Sequence, residues 1–92
     1  MKIRVRVAVL EPEGPLLKEA GLEVKEGLTL ARLFKQADKS LSLKRKVFKP
    51  CLGGGSTATV LINGDRVELD RAGAIVLKPG DEVSLVSGLA GG

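Results

Sequence analysis

The C-terminal stretch Leu89-Ala90-Gly91-Gly92 is the strongest candidate in this chain for a part in a chemical reaction. Glycine has no side chain, so the reactive group there would be the carboxylate of Gly92. Because glycine also lacks a Cβ, such a backbone fits a channel too narrow for other residues and could reach a reactive centre in a partner. The alternative interpretation is a frayed chain end, since termini are often poorly ordered.

Residue types that support independent catalysis are scarce. The 92 residues contain no histidine and one cysteine, Cys51, which excludes histidine-based triads, multi-cysteine zinc clusters and a disulfide within one chain. Cys51 is either a reactive thiol or, as is usual for a lone cysteine, a small apolar residue. We therefore expect a chain that is not an enzyme, that binds no metal or cofactor, and that acts as a substrate or subunit of partner enzymes.

The positive charge is concentrated in one segment. The net charge is +4, and between Lys35 and Lys49 six basic residues accompany one acid, Asp38. This segment is either a solvated face or a patch for an acidic partner or nucleic acid. The candidates for partner docking are Lys44, Arg45 and Lys46.

An RNA-binding module is an alternative function that this basic segment raises. Single-strand binders usually stack bases on aromatic rings, and the chain has only two aromatic residues, Phe34 and Phe48. The composition therefore argues against nucleic acid as a partner.

The start of the chain alternates apolar and mostly basic residues with a period of two, which predicts a strand with one buried face. Turn-forming residues follow at Glu11–Pro15. Leu22 and Val24 then predict a short second strand, joined to the first by a wide loop. The apolar positions of the first strand are Ile3, Val5, Val7 and Val9.

A helix is predicted from Leu30 to about Lys39. Thr29 is a suitable N-cap, and four apolar residues recur at helical spacing: Leu30, Leu33, Phe34 and Ala37. From Leu41 to Ser56 the pattern is poor, and we expect a partly packed connection that ends in a glycine-rich loop.

The last third of the chain reads as strands separated by turns. Ala58–Ile62 is a β-branched run that ends at the turn sequence Asn63-Gly64-Asp65, and Val67 and Leu69 continue as a short extended piece. Pro79 and Gly80 suit the two central positions of a type II turn. The last strand then runs through Val83–Val86.

The predicted order is strand, strand, helix, strand, short strand, strand. A right-handed crossover would lay the helix across one sheet face and place the first and last strands in parallel at the centre. The fold class is therefore α+β, a β-grasp with a mixed four- to five-stranded sheet and one main helix packed on one face. We expect one domain over residues 1–86 and an extended tail over residues 87–92.

The N-terminal strand carries alternating charges, and no uncharged run approaches the roughly 20 residues that span a bilayer. We therefore expect a cytoplasmic protein without a signal peptide or membrane partner.

Three motifs in this order give the chain a resemblance to a known family: Leu61-Ile62-Asn63-Gly64, the stretch Leu77–Val83, and the terminal Leu89–Gly92. The chain resembles the ubiquitin-like sulfur carriers of the ThiS/MoaD family, which include the thiamine-pathway carrier and the small subunit of molybdopterin synthase. The resemblance covers nearly the whole chain.

The resemblance implies that an adenylating enzyme related to the ubiquitin-activating enzymes uses ATP to adenylate Gly92. A sulfur donor such as a cysteine desulfurase or a rhodanese then converts the adenylate to a thiocarboxylate. The acceptor would be a downstream synthase, either the large subunit of molybdopterin synthase or thiazole synthase. The activating enzyme would recognise the tail through Gly91, Ala90 and Leu89.

Three features bear on the pathway. Ser87-Gly88 stands where molybdopterin synthase small subunits commonly carry a proline pair, and the spacing from Asn63-Gly64 to Gly80-Asp81 is more similar to that of the thiamine carriers. The chain is long for a thiamine carrier because of the segment from Leu41 to Ser56, which favours pterin cofactor synthesis, with molybdenum or tungsten, over thiamine synthesis. The alternative function that uses the same activated tail is a ubiquitin-like modifier that is conjugated through Gly92 to target lysines.

Overall fold

The computed structural model describes residues 1–11, 14–43, 46–52 and 58–87. Its five strands form one sheet in the order β2-β1-β5-β3-β4, with β1 and β5 parallel and every other neighbouring pair antiparallel. The predicted β-grasp is confirmed, including the parallel central pair. The strands are β1 (Lys2–Glu11), β2 (Gly14–Glu23), β3 (Thr59–Ile62), β4 (Asp65–Val67) and β5 (Glu82–Val86); the helices are α1 (Leu30–Ser40), α2 (Lys49–Leu52) and a 3₁₀ turn (Leu69–Arg71).

The hairpin of β1 and β2 is longer than the sequence predicts. Each strand has ten residues, so the expected short second strand and wide loop are wrong. Pro15 does not interrupt the pairing of β2 with β1. Its partner Leu10 donates its N–H to Ser87, on the side of β1 away from β2, so this pair exchanges no ladder hydrogen bonds and the proline loses none. β2 is also an edge strand, where proline is tolerated.

Helix α1 begins where the sequence predicts. The Thr29 side chain accepts a hydrogen bond from the Arg32 N–H at 3.3 Å, which is the arrangement of an N-cap. The preceding donors of Leu30 and Ala31 bind carbonyl oxygens of Ile75 and Ala72, so the first turn is fastened to the loop before β5. The apolar stripe of the helix, Leu30, Leu33, Phe34 and Ala37, is buried on the sheet.

The segment after α1 contributes more to the core than the sequence predicts. Phe48 is fully buried and packs edge to face against Phe34, with ring centroids 5.1 Å apart. The buried carboxylate of Asp38 accepts hydrogen bonds from the N–H groups of Val47, Phe48 and Lys49 at 2.7, 2.8 and 3.0 Å. Asp38 therefore fastens the start of α2 to the end of α1.

Within the described residues, no helix has the length and hydrophobicity needed to cross a membrane.

Candidate functional site

The end of β5 is the point from which the chain continues toward Gly92. Val86 is the last residue of β5 and pairs with Ala8 of β1. Beyond it, the Ser87 N–H donates to the Ala8 carbonyl at 3.1 Å, and the Ser87 hydroxyl accepts from the Leu10 N–H at 2.8 Å. Ser87, which the sequence analysis assigns to the tail, is thus bound to β1 by two hydrogen bonds.

The predicted reactive and recognition residues Gly92, Gly91, Ala90 and Leu89 lie outside the described residues. Five residues follow Ser87, and a fully extended chain of five residues spans at most about 17 Å. An enzyme that acts on Gly92 would therefore have to bring its reactive centre within this distance of the end of β5.

An apolar patch, defined here as Ala8, Leu10, Leu17 and Val86, lies beside Ser87 on the sheet face away from α1. The register places these side chains together, because Ala8 pairs with both Leu17 and Val86 and faces away from the buried Val7. Leu17 is 71% exposed and Leu10 is 53% exposed. Two large exposed apolar side chains at one place favour a surface for a partner.

The other half of this sheet face is charged and balanced. Arg4 forms an ion pair with Glu19, and Arg6 lies 3.5 Å from Glu19 and 3.7 Å from Glu82. All four side chains are partly exposed, so each pair contributes little to stability, about 0–1 kcal/mol. These four charges neutralise one another, and the patch next to Ser87 contains no charged side chain.

The two internal motifs of the family resemblance meet at the opposite end of β5. The Asn63 side-chain amide donates to Asp81 at 2.9 Å, while its oxygen accepts from the Glu82 N–H at 2.9 Å. Asp81 also accepts from the Lys78 N–H at 2.8 Å and closes the turn that contains Gly80. From Asp81 of this cluster to Ser87 the chain advances six residues, which is about 20 Å of strand. The motifs therefore fasten two turns and do not contact the base of the tail.

Of the three predicted docking residues, Lys46 is the one that lies within the described residues. Lys44 and Arg45 lie outside the described residues, and Lys46 is exposed. Lys46 precedes Val47, which is bound to Asp38 of α1, so it lies on the helix side of the sheet. The apolar patch lies on the other side, and one flat partner surface could not cover both.

Cys51 lies in the core, with 2% of its surface exposed. Its Sγ donates a hydrogen bond to the Val47 carbonyl at 3.2 Å. This burial supports the apolar interpretation of the residue over a reactive thiol. Among the described residues, no group of three or more cysteine, aspartate or glutamate side chains is arranged to hold a metal ion.

The apolar patch is not predicted by the sequence pattern. Leu17 lies in the stretch for which a wide loop is expected, and the structure places it opposite Ala8. The sequence does hold a signal for it, because Leu16 and Leu22 are as far apart as Ile3 and Val9. In the structure Leu16 pairs with Val9 and Leu22 pairs with Ile3 on the inward face, which fixes the register of the hairpin.

No protein-family model and no curated protein matches the sequence. Among solved structures, the fold is similar to the crystal structure of SAMP1 from Haloferax volcanii, with a TM-score of 0.56 over 97% of this chain and 99% of that chain. The five-stranded sheet and the helix packed on it give this chain a ubiquitin-like β-grasp fold. The two sequences are 16% identical, a level at which the likeness concerns the fold alone.

Proposed function

We propose that this protein is a sulfur carrier whose Gly92 carboxylate is adenylated by a partner enzyme and then converted to a thiocarboxylate. The observation that carries the proposal is the end of β5. A central strand of a ubiquitin-like sheet is fastened through Ser87 to β1 and leads directly into Leu89-Ala90-Gly91-Gly92. Ala90 and Gly91, which precede Gly92, are small and uncharged, and such a backbone fits a narrow passage into the active site of another protein.

Adenylation makes the carboxylate an acyl donor. A Gly92 carboxylate oxygen attacks the α-phosphorus of ATP, the bond from that phosphorus to pyrophosphate breaks, and an acyl adenylate forms. The terminal sulfur of a donor persulfide then attacks the acyl carbon, and AMP leaves with the electron pair of the broken C–O bond. A thiol reduces the resulting acyl disulfide and leaves a thiocarboxylate on Gly92 and a disulfide on the donor.

The division of labour between the proteins follows from the composition. With no histidine in the sequence and Cys51 buried, the carrier supplies the acyl group, and the partner supplies ATP binding and the catalytic groups. The carrier contributes the position of Gly92 and a docking surface. We assign that surface to the apolar patch, because it is exposed and lies next to Ser87.

The receiving pathway is part of the same proposal. The internal segment from Leu41 to Ser56, which thiamine carriers are not expected to have, favours pterin cofactor synthesis, with molybdenum or tungsten, and thiamine synthesis is the second candidate. In either pathway a synthase would take the sulfur from Gly92, and hydrolysis of the remaining acyl group would restore the carboxylate.

Pyrophosphate exchange tests the adenylation step. The chain is mixed with the cognate activating enzyme, ATP and labelled pyrophosphate, and label that enters ATP reports reversible formation of the acyl adenylate. We expect exchange with the intact chain and none after deletion of Gly92. Equal exchange by both forms contradicts the proposal.

The modifier alternative shares the adenylate and differs in the acceptor. There, a lysine amine of a target protein attacks the activated Gly92, and an isopeptide bond forms. Proteolysis of cell extracts followed by mass spectrometry would reveal Gly91-Gly92 remnants on target lysines if the chain is a modifier. A thiocarboxylate on Gly92 without such remnants supports the carrier function.

A further inference from the structure

β1 is longer than the part of it that pairs with β5. The β1–β5 pairing extends from Arg4 and Glu82 to Ala8 and Val86, whereas β1 itself continues through Glu11. Among the described residues, β1 has no backbone partner in β5 beyond Ala8, and such a strand edge is a template on which an adjoining chain can add ladder hydrogen bonds. In the sequence, the residues that follow Ser87 are the ones that a regular continuation of β5 would add to this edge.

The next bond of the ladder is made by a side chain in place of the backbone. In this parallel register the Arg4 N–H donates to the Asp81 carbonyl, and the Ala8 carbonyl accepts from the Ser87 N–H. A regular continuation would send the Leu10 N–H to the Ser87 carbonyl. Instead, the Leu10 N–H donates to the Ser87 hydroxyl at 2.8 Å.

We propose that Ser87 is a positioning residue. Its hydroxyl ends the β1–β5 ladder and so keeps the residues before Gly92 available to the activating enzyme. By taking the Leu10 donor, the hydroxyl removes the bond that would place Gly88 next in the strand. The bond after it would join the Leu89 N–H to the Leu10 carbonyl. Pairing of Gly88 and Leu89 would use about 7 of the roughly 17 Å that the chain after Ser87 can span.

The effect of Ser87 on adenylation rests on the proposed function, because an available tail is needed only if Gly92 reacts. The hydrogen-bond assignment itself concerns this chain alone. Ser87 would act through the position of Leu89 and Gly92 and would not contact ATP or the reacting atoms.

The matched variants Ser87→Val and Ser87→Thr test the assignment. Their side chains have nearly the same shape and β-branching, and only threonine keeps the hydroxyl. Amide hydrogen exchange of the full chain, followed by NMR, reports protection at Leu10 and Leu89 without any partner. We expect Leu89 protection about tenfold higher in Ser87→Val than in Ser87→Thr, since two further ladder bonds become available.

The kinetic consequence is measured with the activating enzyme. If the paired form is favoured about tenfold in Ser87→Val, the apparent KM for adenylation rises about tenfold, and kcat is unchanged because the bound tail is already unpaired. Ser87→Thr should match the wild-type protein in both constants.

Two outcomes overturn the assignment. The first is equal Leu89 protection in the valine and threonine variants, accompanied by a loss of stability in Ser87→Val, which would make the hydroxyl a structural hydrogen bond only. The second is higher Leu89 protection without a rise in KM. If the wild-type chain is not adenylated at all, the proposed function fails, and the exchange experiment still decides whether Ser87 ends the ladder.

Discussion

The side chains of Asn63 and Asp81 are joined by a hydrogen bond of 2.9 Å that connects the β3–β4 turn to the turn before β5. These residues belong to the two internal motifs by which the sequence resembles sulfur carriers. Both lie at the end of β5 opposite to Ser87. Their contribution is therefore structural, and the residues that act on a partner should be sought at the other end of the strand.

Replacement of Asp81 should affect stability and leave the reaction unchanged. Asp81→Ala removes the acceptor for the Asn63 amide and for the Lys78 N–H, and both bonds are exposed, so we expect a loss of about 1–2 kcal/mol in the free energy of unfolding. Denaturant unfolding measures this loss, and the exposed Asp65→Ala is the control. A fall in kcat/KM for adenylation in the folded Asp81 variant would contradict the separation of the two ends.

Replacement in the apolar patch should have the converse effect. Leu17→Ser changes a side chain that is already 71% exposed, so we expect stability within about 0.5 kcal/mol of wild type. As an anchor for the activating enzyme, its loss should raise the KM for adenylation about tenfold.

The matched control for Leu17 is Val76, which is 53% exposed and pairs with Thr29 before the start of α1. Val76→Ser should leave the KM as in wild type. If both serine variants give the same KM, the apolar patch is not the docking surface.

Asp38 should be the most sensitive acidic residue for folding. Asp38→Ala leaves three backbone donors at the start of α2 without their acceptor, and the one on Phe48 is buried, so we expect a loss of about 3 kcal/mol. Asp38→Asn keeps one acceptor oxygen and should lose less. Asp70→Ala, in the exposed 3₁₀ turn, should change stability by less than about 0.5 kcal/mol. Similar losses in the alanine variants of Asp38 and Asp70 would show that α2 is not held by the carboxylate.

The basic segment should affect only the rate of association. Reversal of Lys44, Arg45 and Lys46 to glutamate should slow association with the activating enzyme at low salt, and the difference should vanish at high salt because the long-range attraction of these charges for an acidic partner is screened. Stopped-flow measurements at two ionic strengths test this. No difference at low salt would make the segment a solvated face, and a changed kcat would contradict a role limited to association.

The elements with local signals could be predicted from the sequence. The helix from Leu30 follows from a capping threonine and a regular apolar spacing, and the turn at Gly80 follows from proline and glycine in adjacent positions. The parallel centre of the sheet follows from the order of the elements. The helix and the turn depend on residues that are neighbours in the chain, and the parallel centre depends only on the order in which the elements follow one another.

The elements that depend on contacts between distant parts of the chain could not be predicted from the sequence. Lys18 occupies a helix-side position of β2 and extends its Nζ to the Leu41 carbonyl at 3.1 Å, which hides the alternation of the strand. The four residues of α2 are too few for periodicity, and their cap is Asp38 in another helix. The apolar patch depends on the register that places Leu17 opposite Ala8, and the role of Ser87 depends on where β5 ends relative to β1.

Formation of a thiocarboxylate on Gly92 is tested by the intact mass of the carrier after reaction with the activating enzyme, ATP and a persulfide donor. We expect the chain to gain one sulfur in place of one oxygen, fragmentation to locate the change on Gly92, and a chain lacking Gly92 to keep its mass. An unchanged mass for the intact chain under conditions in which the enzyme hydrolyses ATP, or the same gain in the chain without Gly92, would contradict it.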